Sequence, residues 1–148
     1  MCNDICKIMA DLDAVNYATN SGTRVHEMLR HVVINGADVC GDMAIVNEII
    51  ARPDVAAFFG PASRTEVPVA AIINNRFISR RIDRMLIDKH TQRIKILDYK
   101  TDIDRTSRRD KYLAQLREYA AILRRIFPNY EIDGYILWTH GWTLEKII

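Results

Sequence analysis

Three ionisable residues at close spacing carry the chemistry of this chain: Asp83 in Arg81-Ile82-Asp83-Arg84, and Asp98 and Lys100 in Leu97-Asp98-Tyr99-Lys100-Thr101. Side chains alternate along a strand, so Asp98 and Lys100 share one face with Ile94 and Ile96, while Tyr99 shares the other with Leu97. The run Ile82 to Asp88 also reads as a strand, and His90-Thr91-Gln92 is a break short enough to make the two runs antiparallel neighbours. Pairing of that kind sets Asp83 beside Asp98. Two carboxylates held close in a half-buried site repel each other, and a shared proton or a bound cation relieves them. Hard oxygen ligands favour magnesium or manganese over zinc. Taken alone, the acids equally fit strand-end charges paired with Arg84 and Lys100, because ion pairs are common on sheets.

The elements that must hold these groups follow from apolar periodicity and chain breakers. Thr23 is placed to cap a helix carrying Val25, Met28, Leu29, Val32 and Val33, ending before Asn35-Gly36. A second helix is expected over Asp38 to Ala51, stopped by Arg52-Pro53, with a further helical turn over Asp54 to Phe59. Strands follow at Glu66 to Ile73, Phe77 to Asp88 and Ile94 to Lys100, the first two joined at Asn74-Asn75. Arg109 to Phe127 reads as a helix with Leu116, Ala120, Leu123 and Phe127 as its buried stripe, and Pro128 stops it. Ile132 to Thr139 is a last strand, added beside the third across the helical connection.

Five motifs occur in order along the chain: Gly22-Thr23-Arg24-Val25-His26, Glu66-Val67-Pro68-Val69, Ile82-Asp83-Arg84, Asp98-Tyr99-Lys100-Thr101 and Gln115-Leu116-Arg117-Glu118-Tyr119. In this set and order the chain resembles the nuclease domain of the PD-(D/E)XK superfamily. The similarity is to the RecB/AddA branch, found at the C-terminal end of bacterial helicase–nucleases, and it covers roughly residues 22 to 120. One departure is Arg80, where that branch often has glycine three residues before the first acid.

The resemblance implies an α/β, restriction-endonuclease-like αβββαβ core, with a mixed central sheet flanked by helices, as one domain over residues 1–148. It implies a magnesium-dependent deoxyribonuclease, an exonuclease of double-strand-break repair and recombination acting with a helicase in an AddAB- or RecBCD-like complex. It also implies that His26, Asp83, Asp98 and the main-chain carbonyl of Tyr99 hold the metal, and that Lys100 is catalytic. An acid at Glu66 sits near the site by the same likeness, although an ordinary edge-strand glutamate reads equally well. Gln115 and Tyr119, four apart on one helix face, contact DNA or support Lys100, and Arg81 and Arg84 are expected to bind DNA. A DNA-binding or assembly module of the same fold that does not cut, and a stand-alone endonuclease or resolvase, are the alternatives.

Composition narrows the classes further. With 148 residues, 49% apolar and 27% charged, the chain suits one core and is too short for two. No apolar run approaches the roughly 20 residues that span a bilayer, and Asp4, Lys7, Asp11 and Asp13 interrupt the N-terminus, so neither an anchor nor a signal peptide is expected and the protein reads as cytoplasmic. Cys2, Cys6 and Cys40 are too few for a four-cysteine iron–sulfur cluster and irregular for disulfides, and Cys40 reads as a plain buried residue. No Gly-x4-Gly-Lys-Ser/Thr phosphate loop occurs, so no ATP site is expected here. The nearness of the first motif to residue 1 suggests a piece of a longer helicase–nuclease. The net charge of +2 hides an asymmetry: Arg76 to Lys111 holds twelve Lys or Arg against six Asp or Glu. An excess of cations around two acids points to a polyanion as partner.

Overall fold

The computed structural model describes residues 22–148; Cys2, Cys6 and the N-terminal stretch read as carrying no signal peptide lie outside them. Helix α1 runs over residues 22–30. A small hairpin follows, β1 (Val33–Asn35) and β2 (Asp38–Cys40), then helices α2 (Met43–Ile50) and α3 (Pro53–Ala56). Strands β3 (Arg64–Ile73), β4 (Arg76–Asp88) and β5 (Arg93–Lys100) lead to the long helix α4 (Arg109–Ile126), and β6 (Glu131–Trp138) and β7 (Thr143–Lys146) close the chain.

The five long-range strands form one mixed sheet in the order β3-β4-β5-β6-β7. Only β5 and β6 run parallel, in register from Arg93↔Glu131 to Lys100↔Trp138. A parallel pair needs a crossover that returns the chain to the same end of the sheet, and α4 is that crossover. The alternation of β5 sorts its side chains into two cores. Ile94 and Ile96 join Ile82, Met85, Ile132 and Ile136 under the Leu116, Ala120 and Leu123 stripe of α4. Leu97 and Tyr99 pack on the opposite face with Leu29 of α1, Val46 and Ile49 of α2, and Phe59. The centre of the sheet, at β5 and β6, is therefore covered on both faces, and the end of β5 carrying Asp98 and Lys100 lies between the two helical layers.

The first part of the chain departs from the periodicity reading. Val33 belongs to a strand, and the expected helix from Asp38 begins only at Met43. Gly36, with φ +61, reverses the chain so that Val33 pairs with Cys40. Asp42 starts the helix by accepting from the backbone N–H groups of Ala44 and Ile45 at 3.0 and 3.2 Å. Cys40 is exposed, which corrects its expected burial, because the short hairpin turns its side chain to solvent. Strand β7 went unread: Leu144 is its one apolar residue of large size, so no alternation marks it. No helix among the described residues is long and apolar enough to cross a membrane.

Candidate functional site

Asp83 lies where β4 stops pairing with β5. The ladder's last pair is Arg84↔Leu97, and on the other side the β3 register passes from Thr65↔Arg84 to Val67↔Ile82, skipping Glu66. Glu66 has a left-handed backbone, φ +51. Across this break the side-chain alternation slips, for Ile82 and Met85, three residues apart, both enter the core under α4. Freed from the ladder, the Asp83 carboxylate takes the backbone N–H of Tyr99 on Oδ2 at 2.8 Å. Its Oδ1 stands 3.9 Å from Nδ1 of His26, on α1, whose other ring nitrogen is 3.0 Å from the carbonyl oxygen of Tyr99. Asp83 and His26 thus take up the backbone N–H and the carbonyl oxygen of Tyr99 on β5.

Asp98 and Lys100 project from the same strand toward α4, as alternation requires. The Lys100 ammonium is 2.5 Å from Asp98 Oδ2, donates to Gln115 Oε1 at 3.0 Å, and stands 4.4 Å above the Tyr112 ring. Gln115 in turn donates from Nε2 to Asp98 Oδ1 at 3.2 Å and to the Tyr119 hydroxyl at 2.6 Å. Tyr112, Gln115 and Tyr119 follow at i, i+3 and i+7, one face of α4. Tyr112 was the member the sequence reading missed, although that spacing was there to find it.

Burial dominates the electrostatics. Asp98 is 3% exposed, and burial raises its carboxyl above the ordinary range against the pull of Lys100. Burial, and next the adjacent charge of Asp98, push Asp83 up to about 6, opposed by His26 and the Tyr99 N–H. Tyr119 is pushed up to about 12, again by burial first and then by Asp98. Negative charge is in excess here.

The donors suit a hard divalent cation: two carboxylates, a carbonyl oxygen and an imidazole. One observation favours the fit: Asp98 Oδ2 is buried without a hydrogen-bond partner and has the Lys100 ammonium at 2.5 Å as its ion-pair partner. His26 Nε2 stands at hydrogen-bond distance, 3.0 Å, from the Tyr99 carbonyl oxygen. The side chains do not yet converge, however. Among the described residues no three His, Cys, Asp or Glu groups are gathered closely enough to hold a metal ion. Asp98 is turned to Lys100, and His26 to Tyr99 and Asp83.

Arg84 corrects an expectation. Fully buried, it donates from Nε to the Tyr99 hydroxyl at 2.8 Å, from Nη1 to Ser63 Oγ at 2.5 Å, and from Nη2 to the carbonyls of Leu29 and Val32 at 2.8 and 3.1 Å. Its guanidinium also lies 4.1 Å from the Phe59 ring centre. Every nitrogen is used inside the protein, so Arg84 ties α1 to the sheet and offers DNA nothing. Arg81 is exposed, 3.4 Å from Glu66. Arg80, at the position where glycine was the pattern, reaches across to Glu118 of α4 at 2.5 Å. An open groove of about 760 Å³ lies at the far end of the sheet, along Leu86, Lys89, His90, Arg93 and Lys95, and none of the site residues lines it.

No protein-family model matches this chain, and no curated protein matches it.

Proposed function

We propose that this chain is a metal-dependent DNA nuclease of the PD-(D/E)XK type, with a restriction-endonuclease-like core, that hydrolyses phosphodiester bonds in repair and recombination alongside a helicase. One observation carries the reading: two carboxylates with raised proton affinity, buried Asp98 and part-buried Asp83, lie near one strand end, Asp98 beside a lysine and Asp83 beside a histidine. Buried like charges are costly unless a cation or a proton offsets them, so the arrangement is suited to magnesium or manganese. His26, Asp83, Asp98 and the Tyr99 carbonyl would hold that ion. When bound, it polarises the scissile phosphate and acidifies a water.

The chain's own groups do the rest. Gln115 bridges Asp98 and Lys100 and fixes the ammonium in place, with the Tyr112 ring beneath it. So held, Lys100 Nζ orients the attacking water and offsets negative charge growing on the phosphate oxygens. Asp83 holds the end of β5 through the Tyr99 N–H, which keeps the Tyr99 carbonyl aimed at His26. Glu66 stands one strand away, engaged with Arg81.

The test uses end-labelled linear single- and double-stranded DNA, with and without magnesium and with ATP absent. Magnesium-dependent shortening that Asp98→Ala and Lys100→Ala both lose is the expected result. Unchanged cutting by either purified variant overturns the assignment. DNA retained without degradation would point instead to a binding or assembly module, and cutting of closed circles would point to an endonuclease.

A further inference from the structure

Beyond Arg84, β4 has no partner on the β5 side, and it continues with β3 as a two-stranded ribbon, paired from Val67↔Ile82 to Ile73↔Arg76. One face of the ribbon is packed against α4 through Val67, Val69, Ala71 and Ile78. The other face carries the cross-strand pairs Ala70↔Ser79 and Ile72↔Phe77, all exposed. Ile72 is 66% and Phe77 74% exposed. Paired directly across the ribbon, the two side chains form one contiguous apolar surface open to a contact.

Charge says what that partner is. Along β3 and β4 as far as Ile82 the chain holds Arg64, Arg76, Arg80 and Arg81 against the single acid Glu66; Arg80 is turned to Glu118 of α4, Arg81, on the face of Phe77 and 69% exposed, meets Glu66 at 3.4 Å, and Arg76 is exposed at the turn beside Phe77. An exposed aromatic ring beside arginines that outnumber the acids suits a strand of nucleic acid: a base stacks on the ring while the cations meet phosphates, Arg81 giving up its weak exposed contact with Glu66. Two large apolar side chains are a small patch beside the roughly 800 Å² per partner of a stable protein interface. Small residues behind them, Ala70 and Ser79, leave the ring's surroundings low and open to a planar base. The ribbon also leads straight into the site, because Phe77 and Asp83 lie on one strand, six residues or about 20 Å apart.

We propose that the β3–β4 ribbon is a grip for single-stranded nucleic acid, with Phe77 stacking on a base and Arg76 and Arg81 holding the backbone. That the strand is also the polymer cut at Asp83 and Asp98 rests on the nuclease reading above. The distance places the grip about six nucleotides from the scissile bond at a stacked rise of about 3.4 Å.

The experiment measures anisotropy of a fluorescein-labelled oligothymidylate of about 20 nucleotides with the full chain in EDTA, where no cutting occurs. Phe77→Ala should weaken binding about tenfold, and Phe77→Leu should weaken it equally, because leucine keeps the apolar surface and loses the ring. Phe77→Trp should bind as wild type, with indole fluorescence quenched by the stacked base. Exposure of Phe77 predicts unchanged melting temperatures, which separates lost binding from lost folding. Binding by Phe77→Ala within about twofold of wild type overturns the grip. So does full binding by Phe77→Leu, as expected of a protein-docking face, or no binding by wild type. Ring-dependent binding without magnesium-dependent cleavage keeps the grip and removes the nuclease reading. Cleavage by a chain whose binding ignores Phe77 does the reverse.

Discussion

Asp83 and Arg84 are neighbours on β4, both carry charge into the interior, and their surroundings are opposites. Arg84 has a partner for every nitrogen, from Ser63, Tyr99 and the last turn of α1, and an aromatic face beside it. Asp83 has one backbone N–H, a histidine at 3.9 Å and a second carboxylate nearby that works against it. Tyr99 joins the two environments: its hydroxyl serves Arg84, its N–H serves Asp83, and its carbonyl faces His26. A buried charge with a full set of partners acts as a strut, whereas one left short of them is where an incoming charge gains most. The same contrast separates what the fold needs from what a ligand would complete.

The largest effect should come from the incomplete side. Lys100→Ala and Asp98→Ala are expected to lower magnesium-dependent DNA cleavage about 10³-fold or more, measured by release of end label, because each removes charge positioned for the reacting phosphate. Lys100→Arg should not rescue it, since a planar guanidinium cannot take the ammonium's place between Asp98 and Gln115. On the complete side, Arg84→Ala should cost about 3 kcal/mol or more in urea denaturation, by removing the buried donors to two carbonyls and two hydroxyls and opening a cavity. A tolerated Arg84→Ala would erase the distinction between the two environments.

Asp83→Asn sharpens the comparison by reversing the usual sign. Folding lifts the Asp83 carboxyl from its ordinary 3.8 to about 6. A group raised in the folded state favours folding below its unfolded value and loses that advantage as pH rises through the folded value. The destabilisation by ionised Asp83 therefore grows between about pH 4 and pH 6 and reaches at most about 3 kcal/mol above that window. Asparagine keeps an oxygen for the Tyr99 N–H and carries no charge. Thermal melts should show the variant more stable than wild type by about 1–2 kcal/mol at pH 8 and no gain at pH 4. Magnesium should raise the wild-type melting temperature more at pH 8 than at pH 5, and hardly at all in the variant. Equal magnesium stabilisation at both pH values would remove the carboxylate pair from the argument.

The strands around the site were legible because β5 alternates, because β4 and β6 are rich in apolar β-forming residues, and because Pro128 and Asn74-Asn75 punctuate them. The side on which Asp98, Lys100 and Tyr99 point also followed from parity alone. Arg84 was misread for a reason that parity cannot supply: its burial depends on Leu29, Val32 and Ser63, which lie 55, 52 and 21 residues away. The slip in alternation at Asp83 was equally invisible, since it arises from a left-handed Glu66 in a residue type that rarely adopts that backbone. Helix periodicity overran the β1–β2 hairpin because its two strands are three residues each, too short to display a period.

Glu66 supplies the smallest and most discriminating effect. Its φ of +51 breaks the pairing that would otherwise hold Asp83 in the ladder. A side chain in that region costs about 1 kcal/mol, and glycine does not incur it. Its carboxylate also meets Arg81 at 3.4 Å on an exposed surface, a contact of about 0–1 kcal/mol. Glu66→Gly should thus stabilise the fold by about 0.5 kcal/mol, and Glu66→Gln should change it by less, both read from denaturation midpoints. If the glutamate's charge serves the site, the two variants lose cleavage alike, by about tenfold. A loss confined to glycine would instead assign its role to the backbone break that sets Asp83 free to face Tyr99 and His26.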